Sequence, residues 1–218
     1  MKFIFAVFLG FFANFSLVQA YEFSVATIAV PYEIVPIAGE ISQKHVLLGT
    51  LDNFPIMYEL TAATTTTLIT QLAQRYESDA VPLPLSLIIV RQNDEDGGVT
   101  EVARINPKTE DWSVRKDSVF GMSFWESSVA SREIQPGTYR VEVSTAVNQG
   151  HYVLTLGDNA ETDGYFATLG QVRTMQKFFG LSFLSMLLSS YVYYPIGILL
   201  LLYGFFRVHR YRKALKYA

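Results

Sequence analysis

Residues 178–206 contain no charged side chain, and the basic residues Arg207, Arg210, Arg212, Lys213 and Lys216 follow at once. About 20 apolar residues in helical form cross the hydrocarbon core of a bilayer, and an excess of Lys and Arg marks the side that is not exported. The arrangement predicts one membrane helix over 178–206 and a cytoplasmic tail over 207–218, with the rest of the chain on the exported face. The opposite end carries a matching signal. Lys2, the apolar stretch 3–12 and the small residues around Val18-Gln19-Ala20 read as a secretory signal peptide over 1–20. The mature chain is then expected to begin near Tyr21, an uncleaved first span being the alternative. Such a chain belongs in the plasma (cytoplasmic) membrane, passing through it once.

Charge supports that division. Residues 21–177 hold 11 Lys and Arg against all 20 Asp and Glu of the chain, a net formal charge of −9. Nucleic acid requires a basic face, so this composition speaks against it as a partner. The basic tail suits anionic headgroups of the inner leaflet, although charges beside a span also act as a plain orientation signal. Cysteine is absent. Exported small domains often depend on disulfides, so a domain without them must rest on a hydrophobic core. After residue 20 no Asn-x-Ser/Thr acceptor occurs, which favours a prokaryotic surface.

Between the hydrophobic ends the periodicity is two. Tyr139, Val141 and Val143 alternate with Thr138, Arg140 and Glu142, and Tyr152, Leu154 and Leu156 alternate with His151, Val153 and Thr155. Both runs read as half-buried strands joined by a hairpin link at 146–150. Similar runs fall at 23–30, 45–51, 56–62, 67–73, 85–91, 99–105 and 119–125. About nine short strands separated by Pro, Gly, Asp and Asn predict an all-β, antiparallel, jelly-roll-like β-sandwich over 21–160. Residues 161–177 read as a polar linker before the membrane helix.

The sequence Ile134-Gln135-Pro136-Gly137-Thr138-Tyr139-Arg140-Val141-Glu142-Val143, followed by Gly150-His151-Tyr152-Val153-Leu154-Thr155-Leu156-Gly157, resembles the closing hairpin of the bacterial pre-peptidase C-terminal domain. The resemblance implies a small jelly-roll sandwich that accompanies a catalytic partner on the same chain. Here no such partner is present, and a membrane span follows instead. In physical terms Pro136-Gly137 makes the tight turn, Tyr139 and Tyr152 point inward, and Gly150 permits the return.

Candidates for chemistry are few. His45 and His151 lie in expected strands without the spacing that sets two ligands on one face. Asp94-Glu95-Asp96-Gly97-Gly98 lacks the alternation and later Glu of an EF-hand loop; it reads as a solvated hairpin loop, weak calcium binding at 94–96 being the alternative. Asp158, Glu161 and Asp163 read as a polar linker end. Nucleophile elbows, phosphate-binding loops and reactive cysteines are missing, so no catalytic residue, cofactor or metal is assigned. Trp112, Phe124 and Trp125 flank a long segment between strands. Aromatics there either form a recognition loop or cap one end of the sandwich.

The membrane segment carries its own pattern. A span starting near Gly180 places Ser189, Ser190, Tyr191, Tyr193 and Tyr194 near mid-bilayer, where hydroxyls find partners only on protein. Ser190, Gly197 and Gly204 recur every seven residues, a narrow seam that admits a neighbouring helix, with Tyr193 beside it. A second placement starts the span at Tyr191 and ends it at His209, with the tyrosines as an interfacial belt and 178–188 along the membrane surface. The sequence therefore predicts a binding or accessory module, a non-catalytic subunit that meets other membrane proteins. A hydrolase using dispersed carboxylates is one alternative. A cargo receptor of p24-like organisation is another, although 157–177 is too short and polar for a coiled coil.

Overall fold

The alternating runs become strands, and where the alternation lapses an additional layer covers them. The structure is a computed structural model that describes residues 22–26, 28, 30–93, 97–159 and 164–216. In chain order the strands are β1 (Glu22–Ala26), β2 (Ile34–Pro36), β3 (His45–Asp52), β4 (Ile56–Ala62), β5 (Thr66–Arg75) and β6 (Ser86–Gln92), then β7 (Val99–Ile105), β8 (Ser113–Asp117), β9 (Met122–Glu126), β10 (Ala130–Ile134), β11 (Gly137–Ser144) and β12 (Gln149–Leu156). Two α-helices follow, α1 (Tyr165–Phe178) and α2 (Ser190–Lys216), separated by a 3-10 segment at Phe183–Leu188. The signal-peptide reading at 1–20 and the acidic residues 94–96 lie outside the described residues.

One sheet has the order β1-β3-β12-β5-β9-β8, with β10 also on β5; the other has the order β2-β4-β11-β6-β7. Among the described strands all pairings are antiparallel except two. β1 joins β3, and β2 joins β4, in parallel, so both sheets are mixed where an antiparallel sandwich was expected. The core between the sheets contains the side chains that alternation assigned inward, Tyr139, Val141 and Val143 and Tyr152, Leu154 and Leu156, together with Leu47 and Leu51, Ile56, Tyr58 and Leu60, and Leu87 and Ile89. Full burial of one such aliphatic or aromatic side chain is worth roughly 1.5–3 kcal/mol. At its centre the Tyr58 and Tyr152 hydroxyls bond each other at 2.9 Å. Gly49 faces Tyr152 across the β3–β12 ladder, and a Cβ there would lie 2.2 Å from the Tyr152 ring. Glycine at 49 thus makes room for the aromatic opposite.

β3 and β12 are buried on both faces. Leu48 and Val153 point away from the main core and form a second cluster with Met122, Phe124, Met175 and Phe179. Helix α1 and the residues after it therefore cover the outer face of the first sheet. The segment read as a polar linker at 161–177 is, from Tyr165 onward, this covering helix.

Candidate functional site

The region of most consequence is the junction through which the sandwich meets the apolar helix. Helix α1 ends at a Schellman motif. Gly180, at φ +71°, donates its N–H to the Lys177 carbonyl at 3.0 Å, and Leu181 donates to the Gln176 carbonyl at 2.8 Å. Leu181 then tucks against the second cluster. The next helix starts from an N-cap at Ser189, whose extended backbone and Oγ receive the first N–H groups of α2, that of Tyr191 reaching Oγ at 3.3 Å. Two punctuation marks thus divide the uncharged run, and the single helix expected over 178–206 is corrected. Phe178 and Phe179 belong to the packing of α1, and the helix long and apolar enough to cross a membrane is Ser190–Arg212, 23 residues.

The β8–β9 hairpin tip grips the break between these helices. Asp117 Oδ1 accepts from the N–H groups of Val119 and Phe120 at 2.8 and 3.1 Å, shaping the turn. The Ser190 N–H donates to the Ser118 carbonyl at 2.8 Å, and Ser189, fully buried, donates its hydroxyl to the Val119 carbonyl. Gln176, also fully buried on α1, donates to the carbonyls of Phe120 at 2.9 Å and Ser185 at 3.0 Å, binding tip, helix and 3-10 segment together. Gly121 sits at φ +66°, and a Cβ on it would meet the Leu188 backbone at 2.6 Å. Only glycine fits both the turn and the contact. On the other flank, Arg75 donates to the Phe179 carbonyl at 2.9 Å.

Pro195 explains a further contact. A proline in a helix has no N–H for the carbonyl four residues earlier, here that of Tyr191. That carbonyl accepts instead from the Tyr165 hydroxyl at 2.7 Å, and the Tyr165 and Tyr191 rings stack with centroids 5.8 Å apart. The first turn of α1 thereby supplies what the proline withholds.

The residues singled out from sequence are dispersed. Trp112 is buried in the main core, and Phe124 lies in the second cluster on β9. Trp125 is partly buried, its ring 5.0 Å from that of Tyr76. The aromatics expected to form a loop are in or beside strands and pack. Ser190 sits at the head of α2, held by the hairpin tip, whereas Gly197 and Gly204 have open space where a Cβ would project. Tyr193 is 40% exposed, its ring 4.5 Å from that of Tyr194. His45 Nε2 lies 3.0 Å from the Glu40 carbonyl, and His151 Nδ1 lies 2.9 Å from Thr50 Oγ1 while its ring meets Phe178 edge-on, so the two histidines occupy opposite ends of the β3–β12 ladder. Among the described residues no group of three or more His, Asp or Glu converges to hold a metal ion. A shallow cleft of about 470 Å³ at the end of α1 contains Arg75, Glu77, Trp125, His151 and Lys177, with Glu77 its lone carboxylate.

The signals for the junction were present in the sequence. Gly180 after an apolar stretch is a helix stop, Ser189 before one is a start, and Val46-Leu47-Leu48 breaks the alternation of a strand covered on one face only.

Fold and junction together define a β-sandwich module followed by a helix able to cross a membrane. The chain is similar to the pre-peptidase C-terminal domain of collagenase from Bacillus anthracis, with 15% identity and a TM-score of 0.37 over 60% of this chain and 98% of that one. It is also similar to the Yersinia pseudotuberculosis-derived mitogen, with 13% identity and a TM-score of 0.36 over 56% of this chain and 92% of that one. A third similar structure is PliG from Aeromonas hydrophila, a periplasmic inhibitor of g-type lysozyme, with 13% identity and a TM-score of 0.34 over 62% of this chain and 97% of that one. No family model matches the chain, and no curated protein matches it.

Proposed function

We propose that this chain is a non-catalytic accessory or binding subunit of a membrane protein complex. Its sandwich is exported and its basic tail is cytoplasmic. The observation that carries the reading is the junction. A domain on a polar tether samples every orientation, whereas here the buried side chains of Gln176 and Ser189, with the Ser190 N–H, join the β8–β9 tip to the membrane helix through hydrogen bonds. A module held at fixed height and attitude is suited to positioning another protein of the same membrane. The open space at Gly197 and Gly204 supports a helix partner within the bilayer, with Tyr193 offering a hydroxyl beside that seam and Ser190 at its head.

Paired-carboxylate hydrolysis finds less support, because Glu77 stands alone in one cleft and Asp52 alone in the next. The p24-like alternative asks for a coiled coil before the span, and α1 is a 14-residue helix packed on a sheet.

Purification in mild detergent, with identification of co-purifying membrane proteins, tests the proposal. Gly197→Leu with Gly204→Leu is expected to release the partner, Gly121→Val to weaken its hold by loosening the junction, and Leu200→Ile to do neither. Unchanged association in the first two variants, and after exchange of α2 for a poly-leucine helix, refutes the reading. Protease added outside intact cells should remove the sandwich and spare the tail; the reverse pattern overturns the orientation.

A further inference from the structure

The 3-10 segment before α2 is apolar and turned outward. Phe183, Leu184, Leu187 and Leu188 are 69%, 72%, 53% and 64% exposed. Four large apolar exposures within six residues of a well-fixed segment are unusual for a surface facing water. The backbone here is well fixed, since Gln176 holds the Ser185 carbonyl, Arg173 donates to the Leu181 carbonyl at 3.3 Å, and the Arg173 guanidinium lies 5.6 Å from the Phe183 ring centroid. The ledge has not simply failed to fold inward.

Its position identifies what covers it. Although α2 to Arg212 is long enough to cross, its uncharged part runs over residues 190–206, at 1.5 Å per residue roughly 25 Å of helix, so with Arg207 kept at the inner boundary it stops short of the far side of a hydrocarbon core of about 30 Å. The apolar thickness missing from α2 lies immediately before Ser190, in the ledge. Its four side chains are continuous with the helix surface and carry no charge that would hold them in water.

We infer that Phe183, Leu184, Leu187 and Leu188 are seated among the lipid acyl chains at the outer boundary of the bilayer, so that the membrane grips the folded domain as well as the helix. This rests on the reading of α2 as a span. Arg173, next to Phe183, then stands at headgroup level, where a guanidinium meets lipid phosphate. Of the segment 178–188 considered for the membrane surface, only the 3-10 part takes that role, because Phe178 and Phe179 are packed on the sheet.

The chain has no cysteine, which makes the test direct. Nitroxide labels are placed one at a time at Leu184→Cys, Leu187→Cys, Leu200→Cys and Val99→Cys in the full chain, reconstituted alone in phosphatidylcholine vesicles. Collision rates with oxygen and with a water-soluble nickel chelate are then measured. The expected oxygen-to-nickel ratio at 184 and 187 is several-fold above that at 99, on the second sheet, and closer to that at 200, within α2. A ratio at 184 and 187 equal to that at 99, with 200 still lipid-like, overturns the ledge and leaves the span standing. Low collision with both reagents at 184 and 187 also overturns it, by showing protein there instead of lipid. Water-like behaviour at 200 removes the span and the ledge together.

Discussion

Replacing Tyr152 with Phe keeps the ring and deletes one hydroxyl, and the cost of doing so is set by what remains. The Tyr58 and Tyr152 hydroxyls lie 2.9 Å apart in the core, both residues fully buried, so each is the other's hydrogen-bond partner. Tyr152→Phe or Tyr58→Phe alone leaves a buried hydroxyl without a partner, a loss of about 1–3 kcal/mol. Removing both deletes the unsatisfied group with its partner, so the double variant is expected within about 1 kcal/mol of the parent. The two single losses sum to about 2–6 kcal/mol against at most about 1 for the double, so the cycle predicts a coupling of at least about 1 kcal/mol, and about 3 where each single loss is about 2, between two residues 94 positions apart. Thermal and urea unfolding of the detergent-solubilised chain measures it. A single loss of about 2 kcal/mol lowers Tm by roughly 4–8 °C for a domain of this size. A double variant that loses the sum of the two single losses refutes the coupling and with it the placement of these hydroxyls.

The same pair predicts a pH dependence. Burial, above all, holds both phenols well above their ordinary value of 10.0, so between pH 10 and that raised range the unfolded chain binds fewer protons than the folded one. Stability is fully present below pH 10 and falls above it, by up to about 1.4 kcal/mol per pH unit for each phenol, and the double Tyr→Phe variant should lose that slope in alkaline denaturation. Gly49→Ala is expected to cost roughly 1–3 kcal/mol by driving a methyl into the Tyr152 ring, with partial recovery in the Tyr152→Leu background, as read from melting temperatures. Tyr165→Phe should loosen the head of α2, seen as faster amide exchange over 189–194. That effect should vanish in Pro195→Ala, where an alanine N–H takes over the Tyr191 carbonyl.

The inward faces of β11 and β12 were readable because alternation and turn residues agree there, and β4 and β7 have the expected bounds of 56–62 and 99–105, although β7 buries no side chain fully. β2, β8 and β10 were not. β2 is three residues long, and β8, Ser113-Val114-Arg115-Lys116-Asp117, is an edge strand exposed almost throughout, so neither carries a buried face for the pattern to mark. Helix α1 escaped because two of its buried residues, Thr168 and Gln176, are polar and Gly170 interrupts it, so its inward face does not read as an apolar stripe; the sheet's outer face holds it, not its own propensity. The junction escaped for a different reason. Hydropathy averages over a window, and a glycine stop and a serine cap within an uncharged run leave that average unchanged while they redirect the backbone.

The place of β12 in its sheet bears on how the molecule is made. β12 pairs with β3 on one side and β5 on the other, so the centre of the first sheet stays open until almost the whole sandwich has been synthesised. Helix α1, which closes over Leu48 and Val153, comes later still, just ahead of the helix able to cross a membrane. Completion of the domain and synthesis of α2 thus fall at nearly the same moment. Until then β3 and β5 wait with two unpaired edges at mid-sheet, the situation in which chaperones have most to protect.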